Sequence, residues 1–263
     1  MSNIYGENRD ETTAVGMSKS KYAGSHNSGE DFALRKISEC LDKYGISNTS
    51  KAVMDLGAGT GNWSVRLADY FDFSKIIAVE PDSNQIKLMK DTFRFNNVSD
   101  EKVSIFQSTI QNFNYRMNST PFIICSHVIQ HISDKDVKLV LQKMYHILEK
   151  NGILVIFTTH SQWDQNSYLI QHPQRIDSNG NVEEELVTEE VFERSFNDPD
   201  CFPTRKYSRE YLFNLVKKAG FTILEDFVYH IMNLPPHSED EVNSSNYKKS
   251  QYGMDQILIL TKS

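Results

Sequence analysis

Three glycines spaced by two residues follow a short apolar stretch, and this pattern constrains the fold more than any other feature. Residues 52–56 read as a buried strand, and residues 62–70 carry a helical pattern. Between them stand Gly57, Gly59 and Gly61. Residues without a Cβ let the backbone turn tightly and come close to a ligand. The helix that follows then presents its unpaired N–H groups to that ligand.

Beyond this turn, predicted strands and helices alternate. Such alternation implies right-handed crossovers and a parallel sheet. The stretch before the last strand is too polar for a good crossover helix, so that strand is expected to run antiparallel. The predicted fold is therefore α/β: a doubly wound, mostly parallel seven-stranded sheet with an antiparallel last strand and helices on both faces. The expected strands are residues 52–56, 75–80, 103–107, 122–126, 153–158, 222–230 and 256–261. Four of the expected helices begin directly after a residue that precedes them: Ser28, Gly61, Ser133 and Ser208. A further helix begins at Asp82, and the helix after Ser133, the fourth along the chain, is expected to end at Asn151-Gly152.

Two stretches depart from the alternation. Residues 1–27 are polar, and we expect them to form a flexible segment and a lid. Residues 160–207 are polar with scattered aromatics, and only residues 189–196 resemble a helix. A segment that long without a strong period is usually functional or mobile. We therefore expect one domain, residues 28–263, with an insertion at about 160–207 beside the substrate.

Composition narrows the function classes. The chain has 263 residues, of which 39% are hydrophobic and 24% charged, as is typical of soluble globular proteins. The polar N-terminus does not read as a signal peptide, and no apolar run approaches the roughly 18 residues of a membrane span. The net charge of -7 argues against broad binding to nucleic acid. Three separated cysteines are typical of a cytoplasmic protein, and no acid or histidine spacing predicts a metal site.

Two acids complete the glycine pattern. The spacing is G-x-G-x-G, whereas dinucleotide-binding folds carry G-x-G-x-x-G. An acid about 20 residues after the glycines suits the hydroxyls of a ribose. The stretch Asp55-Leu56-Gly57-Ala58-Gly59-Thr60-Gly61, followed by Val79-Glu80-Pro81-Asp82, resembles the class I S-adenosylmethionine-dependent methyltransferases. The resemblance covers about residues 30–263 without the insertion, and it too implies seven strands with a reversed last strand.

The resemblance implies S-adenosylmethionine as the cofactor, with its methionine half over the glycine turn. Asp55 would orient the ammonium group, and Glu80 would accept both ribose hydroxyls, because a carboxylate can take two donors. Pro81 or Asp82 would border the adenine. Thr109-Ile110 stands where many relatives carry an acid, so the Ile110 N–H is the expected adenine contact. The expected cofactor-binding residues are Asp55, Gly57, Ala58, Gly59, Glu80, Pro81, Thr109, Ile110, Ser126 and His127.

The acceptor side is expected where the parallel strands end, since ligands bind there in open α/β sheets. His131 and His160 follow the fourth and fifth strands, where histidines face the acceptor in several small-molecule members of the family. A pKa near 6.5 suits histidine as a base, and simple packing or solvation is the alternative for both. Four aromatic residues are expected to line the acceptor pocket, with local packing as the alternative for each: Tyr22, Trp163, Tyr168 and Phe202.

The leading hypothesis is a methyltransferase that acts on an oxygen or nitrogen of a small molecule, such as a specialised metabolite, a sugar or an amino-acid derivative. A second is a methyltransferase for tRNA or protein. A third is a partner subunit that binds the cofactor without catalysis, and a dehydrogenase is disfavoured by the glycine spacing. No pattern in the sequence indicates a particular oligomeric state.

Overall fold

The computed structural model describes residues 27–47, 49–71, 73–161, 164–176, 182–198, 200–230 and 254–263. The strands are β1 (Ala52–Leu56), β2 (Lys75–Glu80), β3 (Val103–Gln107), β4 (Thr120–Ser126), β5 (Leu148–His160), β6 (Ser167–Ile176), β7 (Val182–Val187), β8 (Phe202–Lys206), β9 (Thr222–His230) and β10 (Met254–Thr261). The helices are α1 (Asn27–Lys43), α2 (Asn62–Tyr70), α3 (Ser83–Phe95), α4 (Asp134–Ile147), α5 (Glu189–Ser195) and α6 (Arg209–Lys218), with a 3₁₀ turn at Ile129–His131.

Seven strands form the main sheet in the order β3-β2-β1-β4-β5-β10-β9. Neighbours from β3 to β5 pair in parallel, whereas β10 pairs antiparallel with both β5 and β9. The predicted doubly wound sheet with a reversed last strand is therefore confirmed. The order changes direction between β1 and β4, and in open α/β sheets ligands bind at such a switch point.

Alternate side chains of the central strands enter two hydrophobic clusters, one on each face of the sheet. Phe122 and Phe157 belong to the cluster shared with α1, α2 and α3. Met54 and Ile156 belong to the cluster shared with α4 and α6. Continuous burial on both faces explains why these strands read as apolar runs. No helix in the described ranges is long and apolar enough to cross a membrane.

Three of the helices begin where capping residues predict. Asp82 accepts a hydrogen bond from the Asn84 N–H at 2.7 Å, ahead of α3. The hydroxyls of Ser133 and Ser208 accept from backbone N–H groups in the first turns of α4 and α6. Each cap satisfies a donor that would otherwise have no partner in the helix.

The predicted end of the fourth helix is wrong. We expected it at Asn151-Gly152, but α4 ends at Ile147 and β5 starts at once with Leu148. The C-terminal chain explains the difference, because the ammonium of Lys262 donates to the carbonyls of Tyr145 and Leu148 at 2.7 and 2.8 Å. A side chain distant in sequence thus takes the capping role that a glycine usually has.

Residues 160–207 contain more regular structure than the sequence predicts. The helix expected at 189–196 is present as α5. However, β6, β7 and β8 also form a three-stranded antiparallel sheet in the order β7-β6-β8. The strand β7 reads Val-Glu-Glu-Glu-Leu-Val, and its three glutamates are exposed. Leu186 is exposed as well, so residues 183–186 of this edge strand show no alternation of buried and exposed side chains.

Arg205 anchors this small sheet to the main one. Its guanidinium is fully buried and donates to Asp134 at 2.7 Å and to Glu193 at 3.0 Å. It also lies 4.9 Å from the ring centre of Phe192. Next along the chain, the Tyr207 hydroxyl donates to the Ile129 carbonyl at 2.9 Å. The arginine therefore joins β8, α5 and the start of α4.

Replacement of Arg205 tests this anchor. We expect Arg205→Met to lower the free energy of unfolding by about 3 kcal/mol, because it leaves two carboxylates without their buried partner. The matched control is Arg194→Met, since Arg194 and Glu190 form an exposed pair with 71% and 76% of their side chains accessible. That change should cost less than about 1 kcal/mol. Equal losses in urea titrations of the two variants would contradict the anchoring role.

Candidate active site

The glycine turn after β1 is held against the end of β2. The N–H groups of Gly57 and Ala58 both donate to the Val79 carbonyl, at 2.8 and 3.0 Å. Gly57, Gly59 and Gly61 all have positive φ, of 76°, 53° and 83°. Residues with a Cβ adopt such angles at a cost, so all three positions favour glycine.

The three glycines differ in what surrounds them. A Cβ at Gly57 would lie 2.1 Å from Val128, and one at Gly61 would lie 2.6 Å from Met89 and from Phe93. These two glycines therefore allow close packing of the turn against its neighbours. A Cβ at Gly59 would meet no atom of the described residues within 4 Å. Gly59 thus borders open space at the carboxyl edge of the sheet, where a ligand can approach its backbone.

Glu80 lies beside that open space. It is 6% exposed, and its two carboxylate oxygens accept from the backbone N–H groups of Gly59 and Asp82, both at 2.9 Å. Burial raises the pKa of Glu80, and the two N–H donors oppose that rise. Each oxygen has a second lone pair, so the carboxylate can still accept from two hydroxyls of a ligand.

Asp55 is buried under the same turn. It is 1% exposed and accepts a hydrogen bond from the Ser64 hydroxyl at 2.7 Å. Burial raises its pKa to about 7, the Ser64 hydrogen bonds oppose that shift, and the charge of Glu80 adds to it. A buried carboxylate whose desolvation outweighs its hydrogen bonds gains strongly when a cation approaches. An ammonium group on the ligand would supply that charge.

The loop after β3 lies next to Glu80. The Ser108 N–H donates to the Glu80 carbonyl at 3.1 Å. The Thr109 carbonyl accepts from two later N–H groups and so closes a turn, and the Ile110 side chain is 4% exposed in the core. Pro81 is exposed on the other side of Glu80. The structure therefore brings Pro81, Thr109 and Ile110 to the edge of the sheet where an adenine is expected.

Ser126 ends β4, and His127 follows it in a strained backbone conformation with φ of 57°. Its side chain is held at both nitrogens. The amide nitrogen of Gln130 lies 3.1 Å from Nδ1, and Nε2 lies 3.2 Å from a carboxylate oxygen of Asp255. The Thr158 hydroxyl donates to the other end of the Gln130 amide, which fixes its orientation. His127 therefore carries its hydrogen on Nε2 and is tied at both nitrogens.

His131 is held differently. Its Nδ1 lies 3.1 Å from the Pro203 carbonyl and 3.3 Å from the Thr204 hydroxyl. The carbonyl can only accept and the hydroxyl can also accept, so a hydrogen on Nδ1 satisfies both contacts. The ring packs on Phe202 with centroids 4.4 Å apart. The Nε2 atom consequently bears the lone pair.

His160 has the same tautomer for another reason. It is 7% exposed, and Nδ1 lies 3.3 Å from the amide oxygen of Gln256. The Gln256 amide nitrogen donates to Asp226 at 2.6 Å, so the amide oxygen faces the imidazole. Nε2 of His160 therefore bears the lone pair, and two of the three histidines at this edge have a basic Nε2.

Only part of the expected aromatic lining can be placed. Tyr22 and Trp163 lie outside the described residues. Phe202 lies on His131, whereas Tyr168 packs on Phe192 with ring centroids 5.0 Å apart. The observed contact of Tyr168 is packing against α5, and its place in the acceptor pocket stays a prediction. Within the described ranges, no group of three His, Cys, Asp or Glu side chains could hold a metal ion.

Sequence reasoning missed the residues that orient the histidines. Asp255 and Gln256 are the second and third residues of β10 and are both fully buried, although the strand continues with four aliphatic residues. Two polar residues at the start of an apolar strand are a usable signal, since buried polar side chains need partners. Their partners lie far away in sequence, so the signal alone does not identify them.

Gly59→Val tests whether a ligand occupies the open space at the glycine turn. We expect the variant to lose S-adenosylmethionine binding in calorimetry, because the side chain would enter that space. Gly45→Val is the matched control. Gly45 also has positive φ, of 68°, and an added Cβ there would likewise meet nothing within 4 Å in the part of the chain that the structure describes, but Gly45 follows α1. Equal affinity of the two variants would show that the space is not the binding site.

The pKa of Asp55 predicts how cofactor binding depends on pH. Only the ionised carboxylate attracts an ammonium group, so affinity should fall as the pH drops below about 7. Between about pH 7.5 and about pH 6 we expect a roughly fivefold loss, since the amino group of the ligand itself begins to deprotonate near pH 8. Calorimetry should show weaker binding without this slope for Asp55→Asn, and the slope should persist in Glu80→Gln. An unchanged slope in Asp55→Asn would assign the titration elsewhere.

Comparison with known proteins agrees with this geometry. Residues 53–152 match the family model of a methyltransferase domain. No curated protein sequence matches the chain. The matched region begins in β1 and ends in β5, so it contains the glycine turn, Glu80 and two of the three histidines.

Solved structures share the fold over nearly the whole chain. An S-adenosylmethionine-dependent methyltransferase from Mesorhizobium loti is 14% identical with a TM-score of 0.56, over 89% of this chain and 98% of that one. One from Clostridium acetobutylicum is 14% identical with a TM-score of 0.56, over 98% and 96%. The Burkholderia thailandensis 1,6-didemethyltoxoflavin-N1-methyltransferase, solved with its acceptor and S-adenosylhomocysteine, is 13% identical with a TM-score of 0.53, over 91% and 84%. At these identities the likeness is one of fold.

Proposed function

We propose that this chain, a class I S-adenosylmethionine-dependent methyltransferase, methylates an oxygen or nitrogen atom of a small-molecule acceptor. The observation that carries the cofactor's placement is the cradle of Asp55, Gly59 and Glu80. It combines a buried carboxylate, an open backbone position and a second carboxylate with free acceptor capacity. The buried carboxylate of Asp55 fits an ammonium group, and the carboxylate of Glu80 fits the hydroxyls of a ribose. The open position at Gly59 lets the ligand come close to the backbone between them.

The residues of the cradle would divide the work of binding. Asp55 would pair with the ammonium of the methionine half, and Glu80 would accept the ribose hydroxyls. Pro81, Thr109 and Ile110 would border the adenine, and Ser126 and His127 would close the site from β4. When bound, the cofactor supplies an electrophilic methyl carbon on a positively charged sulfur and leaves as a neutral thioether.

The chain must also orient the acceptor and remove its proton. An oxygen or nitrogen nucleophile loses a proton when it gains the methyl group, and a nearby base accelerates that step. His131 and His160 are the proposed bases, because each has its hydrogen fixed on Nδ1 and its lone pair on Nε2. His127 is proposed to shape the cofactor site, since both of its nitrogens are already engaged.

The small sheet supports an acceptor of limited size. It docks beside both proposed bases: Phe202 stacks on His131, and Tyr207 pairs with His160 just beyond β8. We propose that residues 28–263 form one methyltransferase domain in which this insertion covers the acceptor side. The Burkholderia neighbour acts on a small heterocycle, and the net charge of -7 disfavours an RNA backbone. The three cysteines, buried and without disulfides, are consistent with a cytoplasmic location.

Two measurements test the proposal. Calorimetric titration should give micromolar binding of S-adenosylmethionine and S-adenosylhomocysteine and none of NAD. Methyl-labelled S-adenosylmethionine should then transfer label to a low-molecular-mass metabolite extract, with Gly59→Val as the inactive control and Gly45→Val as the active one.

The fraction that takes up label decides between the alternatives. Label in total RNA or in protein would replace the small-molecule acceptor with a macromolecule. Binding of the cofactor without label in any fraction would favour a subunit that binds but does not catalyse. If neither S-adenosylmethionine nor S-adenosylhomocysteine bound, the proposal that Asp55, Gly59 and Glu80 hold the cofactor would lose its main support.

A further inference from the structure

We infer that Gln256 and Asp226 are positioning residues that fix the tautomer of His160, so that Nε2 is its proton-accepting atom. The inference rests on the proposed function for its meaning in catalysis, but the tautomer itself can be measured without any acceptor. The three residues lie on the neighbouring strands β5, β10 and β9. They form a line of hydrogen bonds across the sheet.

The direction of each hydrogen bond follows from the carboxylate at the end of the line. An ionised carboxylate only accepts, so the amide nitrogen of Gln256 must face Asp226, at 2.6 Å. The amide oxygen then points away from Asp226 and lies 3.3 Å from Nδ1 of His160. Because that oxygen can only accept, the hydrogen of the neutral imidazole is held on Nδ1.

Burial makes this orientation persistent. Gln256 is fully buried, His160 is 7% exposed, and the side chain of Asp226 is also 7% exposed. Water therefore has little access to these side chains and cannot replace their partners. A reversed Gln256 amide would place its oxygen against the carboxylate of Asp226, so that two acceptors would face each other. Arg209, at the start of α6, pairs with Asp226 and balances its charge.

The neighbouring histidine shows that the sheet sets tautomers individually. Consecutive residues of a strand point to opposite faces, so Asp255 and Gln256 serve opposite faces of β10. Asp255 lies 3.2 Å from Nε2 of His127, whereas Gln256 lies 3.3 Å from Nδ1 of His160. The two imidazoles consequently carry their hydrogens on different nitrogens. Of the two histidines that β10 contacts in this way, His160 is the one whose Nε2 is basic.

Two-bond nitrogen–proton NMR spectra of the histidine rings test the inference. These spectra distinguish the Nδ1–H and Nε2–H tautomers, and His160→Asn assigns the signals of His160 among the eight histidines. In the wild-type protein we expect the Nδ1–H form of His160 at a pH above its titration. In Gln256→Leu the ratio of Nδ1–H to Nε2–H should fall about fivefold to tenfold, the equivalent of one hydrogen bond.

Asp226→Asn is the second variant, chosen because it keeps the size of the side chain. Its amide can present either an oxygen or a nitrogen to Gln256, so the orientation of Gln256 is no longer enforced and the Nδ1–H ratio should also fall. His131 is the internal control, since its Nδ1 is held by the main-chain carbonyl of Pro203. Its signals should be the same in all spectra if the fold is intact.

Three results would overturn the inference. An Nε2–H tautomer of His160 in the wild-type protein would contradict the geometry. An unchanged ratio of Nδ1–H to Nε2–H in Gln256→Leu would contradict the positioning role of both residues. An unchanged ratio in Asp226→Asn alone would contradict the role of Asp226. Calorimetry with S-adenosylmethionine on the same samples separates this inference from the proposed function. A protein that keeps the Nδ1–H tautomer of His160 but does not bind the cofactor would contradict the proposed function alone.

Discussion

The insertion of β10 between β5 and β9 is the constraint on which the proposed acceptor side depends. This strand pairs antiparallel with both neighbours along its whole length. Its first residues bring Asp255 and Gln256 under the ends of the parallel strands, where His127 and His160 lie. The same C-terminal chain carries Lys262, which ends α4 early. The C-terminal segment from β10 to Lys262 therefore decides the tautomers of two histidines and the length of a helix.

The cofactor side is based on a different physical arrangement. Asp55 and Glu80 are both buried, and burial raises the pKa of both carboxyls. Such groups cost stability, because burial removes water from their charges and their hydrogen bonds compensate for that loss only in part. A ligand with an ammonium group and hydroxyls would offset that cost, since it would supply the missing charge and hydrogen-bond donors to the two carboxylates. Sites with perturbed carboxyls in a cleft are typical functional sites.

The glycine turn and its two acids were readable in the sequence because their contacts are local in the fold. The strand, the turn and the helix are consecutive, and the N–H of Gly59 finds Glu80 only 21 residues later. The orientation of the histidines was not readable. Gln256 lies 96 residues from His160 and 30 from Asp226, and nothing in either segment identifies the partner. The strand β7 of the small sheet was missed because residues 183–186 are all exposed and so give the strand no apolar alternation.

The sequence by itself determined the alternating α/β fold, the reversed last strand and the glycine turn with its two acids. It could do so because apolar periodicity and glycine at positive φ act over a few residues. Only the tertiary structure decided where α4 ends, how Arg205 joins the small sheet to the core, and which nitrogen of each histidine carries its hydrogen. These outcomes depend on single polar atoms brought together from distant segments, and the strength of such contacts comes from the burial that the complete fold creates.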